Sequence, residues 1–263
     1  MSAQKSADIR VATFNLRMDT ERDSLNAWSH RKDFVNQLIR FHDFDIIGTQ
    51  EGFIHQINDV LRMPEYAYTG KGRDDGKTGG EHSAIIFKKD RFKLLESGDF
   101  WLREEPATPG KGWDATCCNR ICSWAKFRDV QTGKMFYFFN VHFDHQGKVA
   151  RRESAKLMAE KVHQIAKDAP VILTGDFNSE PEAEPIKIMK THFKDSYDVT
   201  EQPPYGPTGT YNSFKFDAPM KNRIDYIFIN GKIKVLKYGV LTDALYQHYP
   251  SDHQPVVAVV RLQ

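Results

Sequence analysis

The chain has 263 residues, of which 40% are hydrophobic and 27% are charged, so it can bury the core of one large domain. Lys and Arg total 37 against 35 Asp and Glu, a formal charge of +2, which excludes strong bulk attraction to a polyanion or an acidic membrane. Any recognition of phosphate must therefore be local.

Apolar segments recur at short intervals along the chain, and their spacing predicts helices among a larger number of strands. Helices are predicted at Arg31 to Phe41, Phe53 to Leu61 and Val149 to Lys167, where apolar residues repeat at helical spacing. Thr132-Gly133 and Asn230-Gly231 lie between strand runs and predict hairpin turns. The strands, in chain order, are predicted at Ile9 to Phe14, Asp45 to Thr49, Ser83 to Lys88, Ile121 to Phe127, Met135 to Phe143, Val171 to Thr174, Asp225 to Ile229, Lys232 to Gly239 and Pro255 to Arg261.

Helices alternate with strands in parts of the chain, whereas hairpins join strands directly in others. This mixture predicts an α/β sandwich with mixed sheets rather than a purely parallel doubly wound sheet. No repeat or linker divides the sequence, so residues 9–263 are predicted to form a single domain.

The first eight residues are polar and are predicted to be a disordered or processed segment. They fit a soluble protein that is cytoplasmic, or one exported after removal of a signal peptide. The longest apolar runs are far shorter than the ~20 residues of a membrane-spanning helix, so no transmembrane segment is predicted.

Cys117, Cys118 and Cys122 lie close together, an odd number too tightly spaced to staple a fold of this size. We interpret them as reduced thiols on or beside a strand. A zinc site needs a fourth ligand at regular spacing, which makes it the weaker interpretation. A vicinal redox pair at Cys117 and Cys118 is a third alternative.

Polar side chains recur where predicted strands end, which is where a rigid sheet presents chemistry to solvent. Taken singly, each has an ordinary explanation, since Asn15 can cap a turn, Glu51 can cap the following helix and Asp252 can form an Asx turn. Their repetition at so many strand ends favours a shared site. The residues are Asn15, Glu51, His142, Asp176, Asn178, Asp225, Asp252 and His253.

Carboxylates and an amide oxygen, without cysteine, make a hard oxygen site suited to Mg²⁺ or Mn²⁺ rather than to tetrahedral zinc. Glu51, Asn15 and Asp252 are the predicted metal ligands. The remaining residue types can position and deprotonate a water molecule, and metal-assisted hydrolysis is the reaction that this combination indicates. That second set comprises His253, Asp225, Asp176 and Asn178.

Asp176 and Asn178 follow the apolar strand that begins at Val171. If the backbone stays extended beyond Gly175, the two side chains point to the same side. A carboxylate that accepts a proton and an amide that donates to a phosphate oxygen then share one site.

Six short motifs occur in the order seen in the endonuclease/exonuclease/phosphatase superfamily, and the resemblance runs from about residue 10 to the C-terminus. Each motif is weak alone, but the ordered set requires the correct residue at six separated places. Further stretches, including His142-Phe-Asp-His145, resemble a bacterial subgroup described as metal-dependent hydrolases. The six motifs are Thr13-Phe-Asn-Leu16, Thr49-Gln-Glu51, Asn140-Val-His142, Gly175-Asp-Phe-Asn178, Arg223-Ile-Asp-Tyr-Ile-Phe228 and Ser251-Asp-His253.

The resemblance implies a DNase I-like fold, a four-layer α/β sandwich in which two mixed β-sheets pack face to face with helices on the outside. It also implies that Glu51 is the principal metal ligand, with Asn15 and Asp252 near the metal. The catalytic roles that it implies are carried by His253 paired to Asp225, by Asp176 and Asn178 at the attacking water and the phosphoryl oxygens, and by His142 near the scissile group.

Arg120 follows the cysteine-rich turn and opens a strand, so it is a candidate for bidentate contact with a substrate phosphate. A solvated or structural ion pair explains it equally well. Glu81 and His145 are further candidate substrate-binding residues because of their subgroup context, although composition alone assigns them to loops.

The function predicted from these residues is that of a Mg²⁺-dependent phosphoesterase, which hydrolyses a phosphate ester or phosphodiester by metal-assisted attack of water. A phosphorylated small molecule, a lipid head group or a nucleic acid is the expected substrate, and no protein partner is inferred. One alternative is a nuclease acting on DNA or RNA, against which the nearly neutral charge counts. The other is a catalytically silent binding protein on the same fold, against which the complete set of catalytic residue types counts.

Overall fold

A computed structural model describes residues 7–263 of the chain. Residues 1–6, most of the segment predicted to be disordered or processed, lie outside the described residues. Within residues 7–263, no helix combines the length and the apolar character needed to cross a membrane.

Two mixed sheets of six strands each form the centre of the molecule. The first sheet has the strand order β11-β12-β1-β2-β4-β3 and consists of β1 (Ile9–Asn15), β2 (Ile46–Gln50), β3 (Tyr66–Thr69), β4 (Ile85–Lys88), β11 (Ile233–Val240) and β12 (Val256–Leu262). The second has the order β5-β6-β7-β8-β10-β9 and consists of β5 (Phe92–Trp101), β6 (Ile121–Asp129), β7 (Met135–His142), β8 (Val171–Asp176), β9 (Lys194–Asp195) and β10 (Asp225–Ile229). In each sheet a single parallel pair, β1 with β2 and β7 with β8, lies among antiparallel neighbours.

Side chains alternate along the strands and divide the core into three layers. Val11 and Ile172 lie between the sheets, while their chain neighbours Ala12 and Leu173 face the helices on either side. The first sheet is covered by α1 (Trp28–Phe41) and α2 (Ile54–Val60), and the second by α3 (Lys148–Ala166) and α4 (Glu184–His192). A 3-10 helix (Glu21–Asn26) and the short α5 (Ser196–Val199) complete the elements. The predicted four-layer sandwich is therefore confirmed.

The turn at Asn230-Gly231 does not form the predicted hairpin. Both edges of β10 are already hydrogen-bonded, one to β8 and the other to β9. The chain therefore crosses to the first sheet, where β11 pairs with β12. The hairpin at Thr132-Gly133 is confirmed, since it joins the antiparallel strands β6 and β7, and Gly133 adopts the left-handed φ of +73° that glycine favours.

Several elements have no clear signal in the sequence. β5 is an edge strand whose burial pattern is irregular, and β3 and β9 have only four and two residues. α4 has nine residues and carries Pro185 in its first turn. Alternation and helical periodicity need longer runs than these to be recognised.

Polar side chains connect the two sheets directly beneath the end that carries the strand-end residues. The amide nitrogen of Gln50 donates to Thr13 Oγ1 at 3.0 Å in its own sheet and to Asn140 Oδ1 at 2.7 Å in the other. Thr174 Oγ1 also donates to Asn140 Oδ1, at 3.0 Å. Gly48 permits this approach, because a Cβ there would lie 2.0 Å from Thr174 Oγ1. The network fixes the spacing of the sheets under the site.

Candidate active site

The strand ends bring the predicted polar residues to one end of the sandwich. The parallel pairs β1 with β2 and β7 with β8 place their carboxyl ends there, and the antiparallel strands β10 and β12 place their amino ends beside them. In the register of the second sheet, Asp176 pairs with His142 on one side and with Asp225 on the other. A cleft of about 620 Å³ opens at this end. Its walls include the predicted residues Glu51, Glu81, Arg120, His142, His145, Asp176, Asn178, Asp252 and His253.

The centre of the cleft is a cluster formed by Glu51, Asp176 and His253. One potential ligand atom from each lies within 4.8 Å of the other two. Asn15 lies below them, fully buried, and its Nδ2 donates to Glu51 Oε1 and to Asp176 Oδ2, both at 3.0 Å. Since its Oδ1 accepts from the backbone N–H of Arg17 at 2.9 Å, ligation of a cation by that oxygen requires rotation of the amide.

Glu51 is held in an unusual backbone conformation. Its φ is +63°, in the left-handed region, which costs a non-glycine residue roughly 1–3 kcal/mol and is found at functional sites. Oε2 accepts from the backbone N–H of Met18 at 3.1 Å. Burial opposes ionisation of Glu51, but the charge of His253 and the hydrogen bond from Asn15 hold the pKa of its carboxyl below the usual value. Glu51 is therefore an anion aimed into the cleft.

His253 is oriented by Asp225. Its Nδ1 lies 2.9 Å from Asp225 Oδ2, and Thr210 Oγ1 donates to that same oxygen at 2.6 Å. Nε2 is left facing Asp176 Oδ2 at 3.8 Å. Burial lowers the pKa of His253, but the negative charges of Asp225 and Asp176 outweigh it and raise the pKa well above the usual histidine value.

Asp176 and Asn178 both line the cleft, but the backbone between them is not extended. The backbone N–H of Asn178 donates to Asp176 Oδ1 at 2.9 Å in an Asx turn, and Asn178 has a φ of +46°. Its Nδ2 donates to the carbonyl of Phe143 at 3.0 Å. The expectation of a continued extended backbone is therefore wrong. The turn, rather than an extended strand, brings both side chains to the cleft. Burial and the negative charge of Asp225 raise the pKa of Asp176 to about 7.

His142 lies between Asp176 and Glu81, with Nε2 3.6 Å from Asp176 Oδ2 and Nδ1 3.9 Å from Glu81 Oε2. Burial and the positive charges of Arg120 and Arg73 lower the pKa of His142 well below the usual value. It is therefore a neutral imidazole, which offers one hydrogen-bond donor and one acceptor.

Buried Arg120 and partly buried Arg73 form the wall beside His142. Arg73 Nη1 lies 2.6 Å from Glu81 Oε2, and Arg120 Nη2 lies 2.9 Å from His145 Nδ1. Arg120 Nε also lies 3.6 Å from Asp144 Oδ2, so this side chain is both a structural ion pair and part of the cleft wall. Burial raises the pKa of Glu81 to about 7 against the opposing charge of Arg73.

Asp252 lines the same cleft but lies outside the cluster of Glu51, Asp176 and His253. Its Oδ2 is 4.0 Å from Nε of Arg17, and burial raises the pKa of its carboxyl. The predicted role of Asp252 near a metal ion stays a prediction.

Cys117 and Cys118 line the rim of the cleft and are joined in a disulfide. The expectation of reduced thiols is therefore wrong for this pair, and the redox role of the third alternative stays a prediction. Adjacent cysteines can bond without closing a long loop, so the spacing argument against a stapling disulfide does not apply to them. Cys122 is a buried free thiol, as expected.

Sequence reasoning missed several residues that line the cleft, among them Arg17, Arg73 and Tyr211. Arg17 stands two positions after Asn15, which is the signal that could have identified it. Arg73 and Tyr211 come from long loops, and Tyr211 contacts His253 edge to face with ring centroids 5.0 Å apart. Nothing local in the sequence marks either loop position.

The donor set fits a divalent cation. The carboxylate oxygens of Glu51 and Asp176 are hard ligands, and one atom from each of them and from His253 lies within 4.8 Å of the other two. Asn15 directs the positive end of its amide toward both carboxylates, which is the polarity that a cation at the cluster would have.

Two six-stranded mixed sheets packed between helices, with an acidic cleft at one end, define a DNase I-like protein. The model of the Endonuclease/Exonuclease/phosphatase family matches residues 12–253, and the chain belongs to that family. This confirms the resemblance drawn from the six motifs.

Solved structures of related proteins superimpose closely. The chain is 44% identical to the mannosyl-6-phosphatase of Bacteroides thetaiotaomicron, with a TM-score of 0.92 over 96% of this chain and 99% of that one. It is 39% identical to an endonuclease/exonuclease/phosphatase from Bacteroides vulgatus, with a TM-score of 0.93 over 97% and 99% of the two chains. The catalytic domain of human nocturnin, at 19% identity and a TM-score of 0.76 over 99% and 97%, shares the fold.

The chain spans less than two thirds of the length of its curated sequence relatives. It is 29% identical over 171 residues to an uncharacterized protein of Acanthamoeba polyphaga mimivirus, which covers 61% of this chain and 63% of that protein. The chain is also 29% identical over 171 residues to nocturnin of Drosophila melanogaster, and this match covers 60% of this chain and 25% of that protein.

Proposed function

We propose that this protein is a metal-assisted phosphoesterase that hydrolyses the phosphate monoester of a small sugar. The observation that carries the proposal is the convergence of Glu51, Asp176 and His253 within 4.8 Å, with His253 oriented by Asp225. Like-charged carboxylates held together at the centre of a cleft suit a divalent cation and a reacting phosphate.

Glu51 is the principal ligand for Mg²⁺ or Mn²⁺ in this proposal, with Asp252 and Asn15 close to the ion. The bound ion supplies a Lewis acid that offsets the negative charge of the phosphoryl group and its leaving oxygen. Glu51 suits this role because its carboxylate is ionised and is fixed by bonds from Asn15 and from the backbone of Met18.

Asp176 and His253 perform the proton and charge chemistry. A water oxygen forms the new bond to phosphorus as the bond to the sugar oxygen breaks, and Asp176 takes the proton that the water loses. Asn178 keeps Asp176 in place through its backbone N–H. Asp225 accepts from His253 Nδ1, so the Nε2–H of His253 is directed at a phosphoryl oxygen.

The wall opposite the acidic cluster favours a monoester. A phosphate monoester carries up to two negative charges, and Arg73 and Arg120 place two guanidinium groups along the same cleft. His142 lies between this wall and Asp176, where its neutral imidazole can donate to the ester. The mannosyl-6-phosphatase relative, at 44% identity over nearly the whole chain, supports a hexose phosphate as the substrate class.

The test is a substrate panel assayed with Mg²⁺, with EDTA and with the Glu51→Gln variant. The panel contains hexose 6-phosphates, p-nitrophenyl phosphate, bis(p-nitrophenyl) phosphate, and single-stranded DNA and RNA. We expect release of inorganic phosphate from a hexose 6-phosphate, lost with EDTA and with Glu51→Gln. Cleavage of nucleic acid alone supports a nuclease, and hydrolysis of nothing in the panel supports a silent binding protein; either result overturns the proposal.

A further inference from the structure

Arg17 lines the cleft, and hydrogen bonds to its backbone hold it in place. It follows β1 with a φ of +56°, and its backbone N–H donates to Asn15 Oδ1. Its carbonyl accepts from Gln56 Nε2 at 2.9 Å and from Arg31 Nη2 at 3.3 Å. The main chain at Arg17 is therefore held by contacts with Asn15, Gln56 and Arg31.

The guanidinium of Arg17 lies between two carboxylates of the site. Nε and Nη2 form a bidentate pair with Asp23 at 2.8 and 2.9 Å, which anchors the group and leaves Nη1 for the cleft. Nη1 is 3.9 Å from Glu51 Oε2, and Nε is 4.0 Å from Asp252 Oδ2. The hydrogen bond with Asp23 raises the pKa of Arg17, so the side chain is always a cation.

This cation approaches the carboxylate oxygen of Glu51 that does not contact Asn15. Glu51 turns Oε1 toward Asn15, which also contacts Asp176, and turns Oε2 toward Arg17 and Met18. In two-metal phosphoesterase sites, a carboxylate of this kind binds one ion on each side, and the ions are about 3.5–4 Å apart. Here a guanidinium occupies the second side.

We propose that Arg17 is a built-in cation that replaces a second metal ion, so that the site binds one divalent ion. The inference rests on the proposed function only for the existence of that first ion. Arg17 places positive charge 3.9 Å from Glu51 Oε2 and 4.0 Å from Asp252 Oδ2, the oxygens that a second ion would need. This charge, which Asp23 offsets in part, repels a divalent cation placed beside those oxygens. A guanidinium has no site for coordinating a metal and does not lose its proton at any ordinary pH.

The experiment counts bound Mn²⁺ in metal-free protein, by isothermal titration calorimetry and by electron paramagnetic resonance of the free ion. We expect one ion in the wild type and two in Arg17→Met, which keeps an unbranched side chain without its charge. Arg17→Lys keeps the charge and should bind one ion. Arg17→Met combined with Asp252→Asn should also bind one ion, because the second ion loses a carboxylate ligand.

Arg40→Met is the matched control, since Arg40 pairs with Glu65 on the surface far from the cleft, and it should bind one ion. If Arg17→Met does not fold, as judged by circular dichroism, Arg17→Gln removes the charge while keeping a hydrogen-bond donor for Asp23. Two ions in the wild type overturn the inference, and so does one ion in folded Arg17→Met or folded Arg17→Gln. A wild type that binds no ion overturns the metal-assisted function itself, which distinguishes the two failures.

Discussion

Charged side chains gather at both ends of the sandwich, but they are arranged in opposite ways. At the end away from the cleft, both oxygens of Asp45 are paired, with Arg91 Nη1 at 2.7 Å, with Lys88 Nζ at 3.0 Å and with the backbone N–H of Arg10 at 2.8 Å. At the cleft, the carboxylates of Glu51 and Asp176 converge on one amide nitrogen.

The two ends differ in what their charges do. The charges away from the cleft stabilise the fold, and those at the cleft serve the proposed reaction. At the end away from the cleft, which we call the paired end, each buried carboxylate has cations within reach. Removing one partner therefore leaves the other as an unpaired buried charge. At the cleft, like charges are buried and are held together by the surrounding sheets. Their repulsion lowers the stability of the fold and favours the binding of a cation. Substitutions at the two ends should therefore change different measurements.

The largest effect is expected at the cleft. Asp176→Ala and His253→Ala each remove a group that acts on the water or the phosphate, and should lower kcat about 10³-fold. Thermal unfolding should show that both variants remain folded. His163→Ala, an exposed position on α3, is the matched control and should keep full activity. Near-normal turnover by either cleft variant contradicts the assignment of that residue.

A smaller effect, on a different measurement, is expected at the paired end. Asp45→Asn leaves Arg91 and Lys88 without their buried partner and should lower the free energy of unfolding by about 3 kcal/mol, with kcat unchanged. Urea unfolding measures the loss. Asp43→Asn removes a more exposed partner of Arg10 and should cost at most about 1 kcal/mol. Equal losses in the two variants would contradict the distinction between buried and exposed pairs.

The demand for a cation predicts that Mg²⁺ stabilises the wild-type protein. An ion that binds only the folded state adds about 2.7 kcal/mol at 100 times its Kd. The Tm of the wild type should rise with Mg²⁺ and return with EDTA, whereas the Tm of Glu51→Gln should not respond. The response of Asp45→Asn should match that of the wild type, because the paired end binds no ion in this proposal. A Tm rise that is equal in Glu51→Gln would place the ion elsewhere.

Much of the fold and the membership of the cleft could be predicted because strand ends carry a simple signal. Asn15, Glu51 and Asp176 each follow an apolar run, and parallel strands bring such positions to the same end of a sheet. The roles assigned to these residues remain predictions. Loop residues could not be found in this way, since the path that brings Arg73 and Tyr211 to the cleft depends on tertiary contacts.

The crossing from β10 to β11 was missed for a related reason. A turn sequence such as Asn230-Gly231 predicts a reversal of the chain, but whether the next strand pairs with the previous one depends on which sheet edges are free. The edges of β10 are paired with β8 and with β9. β9 has only two residues, which is too short for any sequence pattern to predict. Sequence patterns therefore located the strands better than their pairing.

The smallest expected effect tests whether the cleft is strained before any ion binds. In metal-free protein, Asp176→Asn should raise the free energy of unfolding by about 1 kcal/mol, as substitutions at strained functional sites often do. Asp176 is almost fully buried, and the negative charges of Asp225 and Glu51 oppose its ionisation. The single amide oxygen of Asn can accept from Asn15 Nδ2 or from the backbone N–H of Asn178 but not from both, which keeps the gain small. Urea unfolding in EDTA measures the gain, and saturating Mg²⁺ should reverse the order of the two proteins. A loss of stability in EDTA would mean that the attraction of Asp176 for His253, 3.8 Å away, outweighs its repulsion by the other carboxylates, and that the two ends of the sandwich are more alike than their geometry indicates.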